Sequence, residues 1–271
     1  MPDFAPGLYV VGTPIGNLGD LSPRARACLA AATIVAAEDT RTSGKLLKMA
    51  GSRAHLVSLT EHNVSRRSND LLEAAKGGVV ALVSDAGTPV VADPGARLVE
   101  AAHAAGVAVF TVPGPSALAA AISVAGFEGS DVSFLGFLPR PKQERIARLK
   151  AAATSATVFV FFESPTRLGA TLTELAETLS DPEVAVCREL TKVHEEVVRG
   201  RASELAPRFA STRGECTVVV RSPAATAPSA TEAAAYLAEM ARAGARRSAA
   251  ATEAARRFNI PKSDAYDLWP G

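Results

Sequence analysis

VVALVSDAGTPVVADPG, residues 79–95, joins a short apolar run to a dense cluster of Ser, Asp, Gly, Thr and Pro. An apolar run without polar alternation suits a strand covered on both faces, so the stretch predicts a strand of a helix-sandwiched sheet that ends in a specialised loop. The pattern recurs in LYVVG from Leu8, TIVAAE from Thr33, HLVSL from His55 and VAVFTV from Val107, each apolar on both faces and separated from the next by Ala- and Leu-rich helical periods. Strands joined by crossover helices predict a mostly parallel sheet. Helix ends agree with this: Ser22 stands before Pro23, Gly51 follows KLLKMA, and Asp93 precedes Pro94.

After the helical segment PSALAAAISVAG, Gly, Pro and clustered charges break the rhythm between residues 127 and 142. A first α/β domain is therefore expected over 1–127 and a second over 128–222. The second contains VFVFF from Val158, EVAVC from Glu183, HEEVV from His194 and CTVVV from Cys216, with helices over TRLGATLTELAETL and from Arg201 to Ala210. HEEVVRG and GECTVVVRS are close enough in the chain to pair antiparallel, which predicts a mixed sheet. Residues 223–271 comprise the rest of the linker SPAATAPSA, which begins at Ser222, and a helical module. There Ser229 and Glu232 form a capping box, and AARRFNIPKSDAYDL resembles the turn of a helix-turn-helix.

Composition narrows the function. With 271 residues, 48% of them hydrophobic, and a net charge of +1, no global basic field draws in a polyanion, so a nucleic-acid partner would need a local patch. Cys28, Cys187 and Cys216 form no CxxC pair, and His55, His62, His103 and His194 lack the spacing of a helical metal site, so no metal is implied. No basic leader and no run of 18 apolar residues occurs, which predicts a soluble cytoplasmic protein.

Gly12, Gly16 and Gly19 after the first strand match neither GxGxxG nor a Walker A loop. Yet GTPIGN, AAEDTRTS, SDAGTPVVADPG and VPGPSA all follow strands, and ligands of open α/β sheets bind outside the carboxyl ends of the strands. These loops offer amides, hydroxyls and carboxylates with few cations, a lining suited to a cationic or zwitterionic nucleoside and ill suited to a polyphosphate. Taken singly, each proline there reads as a turn former.

TPIGNL, AEDTR, LVSDAGTP, DPG, VPGPSA, GFLPR, FFESP and RELTK, in that order, resemble the ribosomal RNA small-subunit methyltransferase I family of the tetrapyrrole methylase superfamily. The resemblance implies two α/β domains of the tetrapyrrole methylase type (class III S-adenosylmethionine methyltransferases), a small C-terminal helical module and a homodimer. It further implies S-adenosylmethionine between the domains, beside Thr13, Pro14, Asp85, Gly87, Thr88, Pro89 and Val91 and, further on, Ser116, Ala117, Leu190 and Glu215. The substrate it implies is the 2′-oxygen of a cytidine in the decoding region of 16S rRNA, within the small ribosomal subunit. Tetrapyrrole C-methylation is the alternative, disfavoured because TPIGNLGD and AGTP depart from the GxGPGD and GDP loops of the porphyrin enzymes. A DNA-binding regulator would rest on the tail alone.

Transfer to a hydroxyl calls for a base. Asp39 is the first candidate, followed by Glu38, Glu163, Glu189 with Lys192, and His62. For RNA phosphates the local patch is PRPKQERIARLK, with Arg140, Lys142 and Arg145 foremost; Arg148 and Lys150 complete it, and Arg41 lies across the cleft. Arg145, Arg148 and Lys150 also recur at the spacing of a solvated helix face. With 5% aromatic residues, no stacking platform is evident.

Overall fold

The computed structural model describes residues 4–91, 95–129, 131–222, 230–258 and 260–270. The first half alternates β1 (Gly7–Val11), α1 (Pro23–Ala31), β2 (Ile34–Ala37), α2 (Thr40–Ala50) and β3 (His55–Ser58). It continues through α3 (Val64–Gly77), β4 (Val79–Leu82), α4 (Ala96–Ala104), β5 (Val109–Val112) and α5 (Ala117–Ala125). All pairings are parallel, in the order β3-β2-β4-β1-β5. Alternate residues of the central strands feed separate cores. Leu8, Ala36, Val80 and Leu82 pack with α3 and α4, while Tyr9, Val11, Val35 and Ala81 pack with α1 and α2. The outermost strands β3 and β5 are partly exposed, so full coverage belongs to the three inner strands alone.

Ser22 caps α1 by accepting a hydrogen bond from the Ala25 amide, and Gly51 closes α2 in the left-handed region at φ +72°. Asp93 and Pro94 lie outside the described residues, as do Ser229 and most of the linker; the capping-box side chain of Glu232 is likewise not described.

The second half contains β6 (Val132–Phe137), α6 (Lys142–Ser155), β7 (Val158–Glu163), α7 (Pro165–Thr178), β8 (Glu183–Arg188), β9 (Glu196–Arg201), α8 (Ala202–Arg208) and β10 (Cys216–Arg221). Its sheet has the order β6-β7-β10-β8-β9, with β6 and β7 parallel and the rest antiparallel. The mixed sheet is as expected, but the pairing of the last two strands is not. CTVVV is buried at all five positions and takes a central place against β7 and β8, whereas β9, EVVRGR, carries three charged residues and alternates half-buried with exposed positions, and lies at the edge beyond β8. β6 is unanticipated, because its glycine and the surrounding prolines read as punctuation.

Helix α5 packs on the second sheet: Ala121 and Ala125 are fully buried in a cluster with Val160, Ala185, Cys187 and Val219. The two halves thus share a core. Beyond them α9 (Ala230–Arg242), α10 (Arg247–Phe258) and α11 (Lys262–Asp267) enclose a core of their own around Leu237, Ala251, Ala254 and Phe258. Among the described residues no helix is long and apolar enough to cross a membrane.

Arg145 corrects an expectation. It is only 8% exposed, and its Nε and Nη2 each donate to Glu174 at 2.7 Å while Nη1 donates to the carbonyls of Pro139 and Arg140. Its guanidinium is spent on holding α6, α7 and the loop before them together, and it is not free for the phosphate contacts expected of it. Arg145→Ala would leave Glu174 as an uncompensated, largely buried carboxylate and should lower stability by about 3–5 kcal/mol. Urea unfolding should show that loss, and a double change to Arg145→Met with Glu174→Leu should recover most of it.

Candidate active site

Three loops at the carboxyl ends of β1, β4 and β5 are stitched together before any ligand enters. Thr13 and Gly87 exchange backbone hydrogen bonds of 2.8 and 3.1 Å, and the Thr88 hydroxyl donates to the Pro115 carbonyl at 3.1 Å. Gly12 and Gly114 touch backbone to backbone: a β-carbon on either would come within 2.7 Å of the other. Gly87 sits at φ +83°, and Val90 holds φ +77°, a strained conformation for a β-branched residue. The sequence therefore builds a rigid rim where strand ends converge.

Between this rim and the second sheet lies a cavity of about 390 Å³, within the range of small-molecule sites. The first half contributes Ile15, Glu38, Asp85, Ala86, Gly87, Thr88, Val91, Ser116 and Ala117. The second contributes Phe137, Phe162, Glu163, Ser164, Pro165, Gly214, Glu215, Cys216 and Thr217. Of the expected cofactor residues, Thr13, Pro14, Pro89 and Leu190 are buried behind this lining. Thr13 in particular ties the loops together, its hydroxyl donating towards the Ser84 and Gly87 carbonyls.

The lining carries four carboxylates, Glu38, Asp85, Glu163 and Glu215, and no Lys or Arg. Glu163 is 2% exposed; Oε1 accepts from the Ser164 amide at 2.8 Å, while Oε2 accepts from the Thr171 hydroxyl at 2.8 Å and pairs with Arg167 at 3.2 Å. Glu215 pairs with Lys192 at 3.0 Å, and Lys192 also donates to Glu189 Oε1 at 2.8 Å. That same oxygen accepts from the Glu215 amide, and a side chain at Gly214, whose φ is +91°, would collide with Glu189. The Lys192 hydrogen bond holds the Glu189 pKa below the ordinary range. Burial works against the Lys192 charge, but its two carboxylate partners outweigh burial and raise its pKa, so Lys192 stays an ammonium in a clamp and is no base. From the adjacent turn Thr191 Oγ1 accepts from the Asn17 amide at 3.0 Å, linking the two halves beside the cavity.

Asp39 is the second correction. It caps α2, and its carboxylate accepts from the Arg41 amide at 2.8 Å and from the Arg41 side chain at 2.8 and 3.2 Å. Those hydrogen bonds, the side-chain ones foremost, hold its pKa at about 2. A carboxylate so tightly held is a weak proton acceptor, and it does not line the cavity. His62, exposed beyond β3, does not line it either. Cys216 in the wall is neutral, its thiol pushed up to about 11 mainly by burial.

Sequence reasoning missed Phe137, Phe162, Ser164, Pro165, Gly214, Cys216 and Thr217, as well as Ile15 and Ala86. The first four belong to GFLPR and FFESP, whose charged members drew the attention. Among the described residues, no three His, Cys, Asp or Glu are grouped to hold a metal.

Two α/β halves with a carboxylate-lined cavity between the strand ends of the first and the sheet of the second have the architecture of a small-molecule enzyme site. The uroporphyrin-III C-methyltransferase of Thermus thermophilus, solved with S-adenyl homocysteine, shares the fold at a TM-score of 0.58, with 21% identity over 79% of this chain and 96% of that one. The family described as Tetrapyrrole (Corrin/Porphyrin) Methylases matches residues 7–206. Ribosomal RNA small subunit methyltransferase I of Thermotoga maritima is 46% identical over 79% of this chain and 97% of its own length. Its counterpart in Mycobacterium tuberculosis (strain CDC 1551 / Oshkosh) is 48% identical over 79% of this chain and 76% of its own length. The chain belongs to the tetrapyrrole methylase family and, within it, to the ribosomal RNA small subunit methyltransferase I group.

The depressed pKa of Asp39 has an acid-side signature. Its contribution to stability is present above the unfolded carboxylate value near pH 4 and is lost as pH falls through about 2. Asp39→Asn, which keeps a capping oxygen and removes the charge, should flatten the fall of Tm between those limits and should leave methyl transfer near pH 7 in place.

Proposed function

We propose that the chain is an S-adenosylmethionine-dependent rRNA methyltransferase that modifies the ribose 2′-oxygen of a cytidine in the decoding region of 16S rRNA, acting on the small ribosomal subunit. The observation that carries this reading is the cavity's charge inventory: the lining presents four carboxylates, of which Glu163 and Glu215 also pair with Arg167 and Lys192 outside it, and no Lys or Arg of its own, which suits a sulfonium and an ammonium group and opposes a polyphosphate. The small side chains Ala86, Gly87, Ala117 and Gly214 leave room for a nucleoside. Asp85, Thr88, Ser116, Ala117 and Glu215 would hold the cofactor, which supplies a methyl group on a positively charged sulfur. The names of the relatives supply the substrate class.

The residues of the chain position, shield and deprotonate. Walls from both halves exclude water from the reacting atoms. Asp85 accepts a hydrogen bond from the Asp39 amide at 3.0 Å and is thereby fixed in the wall. Glu38, carried to the rim at the end of β2, is the assigned base for the ribose hydroxyl, while the buried Glu163 braces the FFESP turn. Arg41, Arg140 and Lys142 are exposed and take RNA phosphates, and the helices after the linker assist that engagement. The enzyme works as a cytoplasmic homodimer without metal.

Calorimetry with S-adenosylmethionine in the presence of a chelator should show binding; none, or binding only with added metal, would overturn the cofactor assignment. Glu38→Gln should lower kcat on small subunits by about 10²- to 10⁴-fold, with a far smaller change in cofactor affinity. Neutralising Arg140 and Lys142 together should make the slope of log affinity against log salt shallower by at most about 2 units, equally on every RNA tested.

A further inference from the structure

Phe137 is 61% exposed, yet it lines the cavity whose floor residues Ile15, Cys216 and Thr217 are buried; it therefore stands at the mouth. Its place there results from a defect in β6. In a regular strand Phe134 and Phe137, three residues apart, would point to opposite faces. Between them β6 carries one residue more than β7: Phe134 is in register with Val160 and Phe137 with Phe162. Gly136 absorbs the bulge at φ +63°. Both rings then meet Phe162 edge to face, Phe134 at 5.0 Å and Phe137 at 5.6 Å between centroids. A bulge that re-aims a side chain next to a site is a built feature, and this one leaves a large aromatic surface in water at the entrance.

We propose that Phe137, braced by Phe162, is the face on which the base of the target nucleotide stacks when its ribose enters the cleft. This rests on the rRNA reading above and adds the residue that positions the acceptor. A base inside folded RNA has to be splayed out before its ribose can reach a buried methyl donor, and an unstacked base is held by an aromatic plane. The cofactor would take the deeper part of the cavity, towards the buried Ile15, Cys216 and Thr217, and the acceptor would arrive from solvent, where Phe137 is. Arg140, three residues on in the chain and exposed, would receive the neighbouring phosphate.

The test uses the full-length protein, unmethylated small ribosomal subunits and S-adenosylmethionine. Phe137→Ala should lower kcat/KM for the subunit by about 5- to 150-fold, the usual range for one base stacked on an aromatic side chain. Cofactor affinity by calorimetry should stay unchanged, and Tm should fall only slightly, since the side chain is largely exposed and gives up one edge-to-face contact with Phe162. Phe137→Trp should restore activity, and Phe137→Leu, apolar but without a π-face, should not. Equal losses of cofactor affinity and activity would assign Phe137 to the cofactor's adenine and overturn the proposal. So would an alanine variant as active as the wild type, or full rescue by leucine. Failure of the wild-type protein to methylate the subunits would instead remove the rRNA reading on which the proposal stands.

Discussion

The packing of α5 against the second sheet is the contact on which the rest depends. Ala121 and Ala125 are small enough to let the helix lie close on Val160, Ala185 and Val219, so the two sheets are held as one body. The same helix begins at Ser116, whose hydroxyl caps it by accepting from the Ala119 amide, and Ser116 and Ala117 lie in the cavity wall. A helix whose flank belongs to one sheet and whose start belongs to the loops of the other sets the width of the cleft. The Asn17–Thr191 hydrogen bond fixes the same spacing at a second point.

Charge at this site is distributed by burial and pairing. Arg145 and Glu174 satisfy each other within the second half, Arg41 neutralises Asp39 outside the cavity, and Lys192 links Glu189 to Glu215 behind the wall. Arg145 and Lys192 are thus directed at structural partners, and the cavity lining is left to carboxylates, amides, hydroxyls and apolar groups. That selection favours a positively charged ligand without a metal or an arginine having to be displaced.

How far the sequence reveals this depends on the interaction concerned. β4 and its loop are legible because a doubly covered strand must be apolar throughout and must end where the ligand sits. Asp85, Thr88, Ser116 and Ala117 reach the cavity because strand ends converge in any sheet of this order. Asp39 and Arg145 mislead for a shared reason: an acid two residues before Arg41, and an arginine at helical spacing, look the same whether their partner is a ligand or a neighbour in the chain. The place of β10 depends on competition for the sheet centre, which no single strand displays. The aromatic pair at the mouth depends on a bulge, and Gly136 reads from sequence as a break in structure.

The alanine-rich core of α9, α10 and α11 is closed on itself, with Leu237 and Phe258 as its large members. Its heat capacity and enthalpy of unfolding are therefore its own and small, because both scale with the surface that unfolding exposes. Heating would melt the chain in at least two cooperative units, and a single Tm or free energy would not describe it. The catalytic body could stay folded at temperatures where the tail has already come apart.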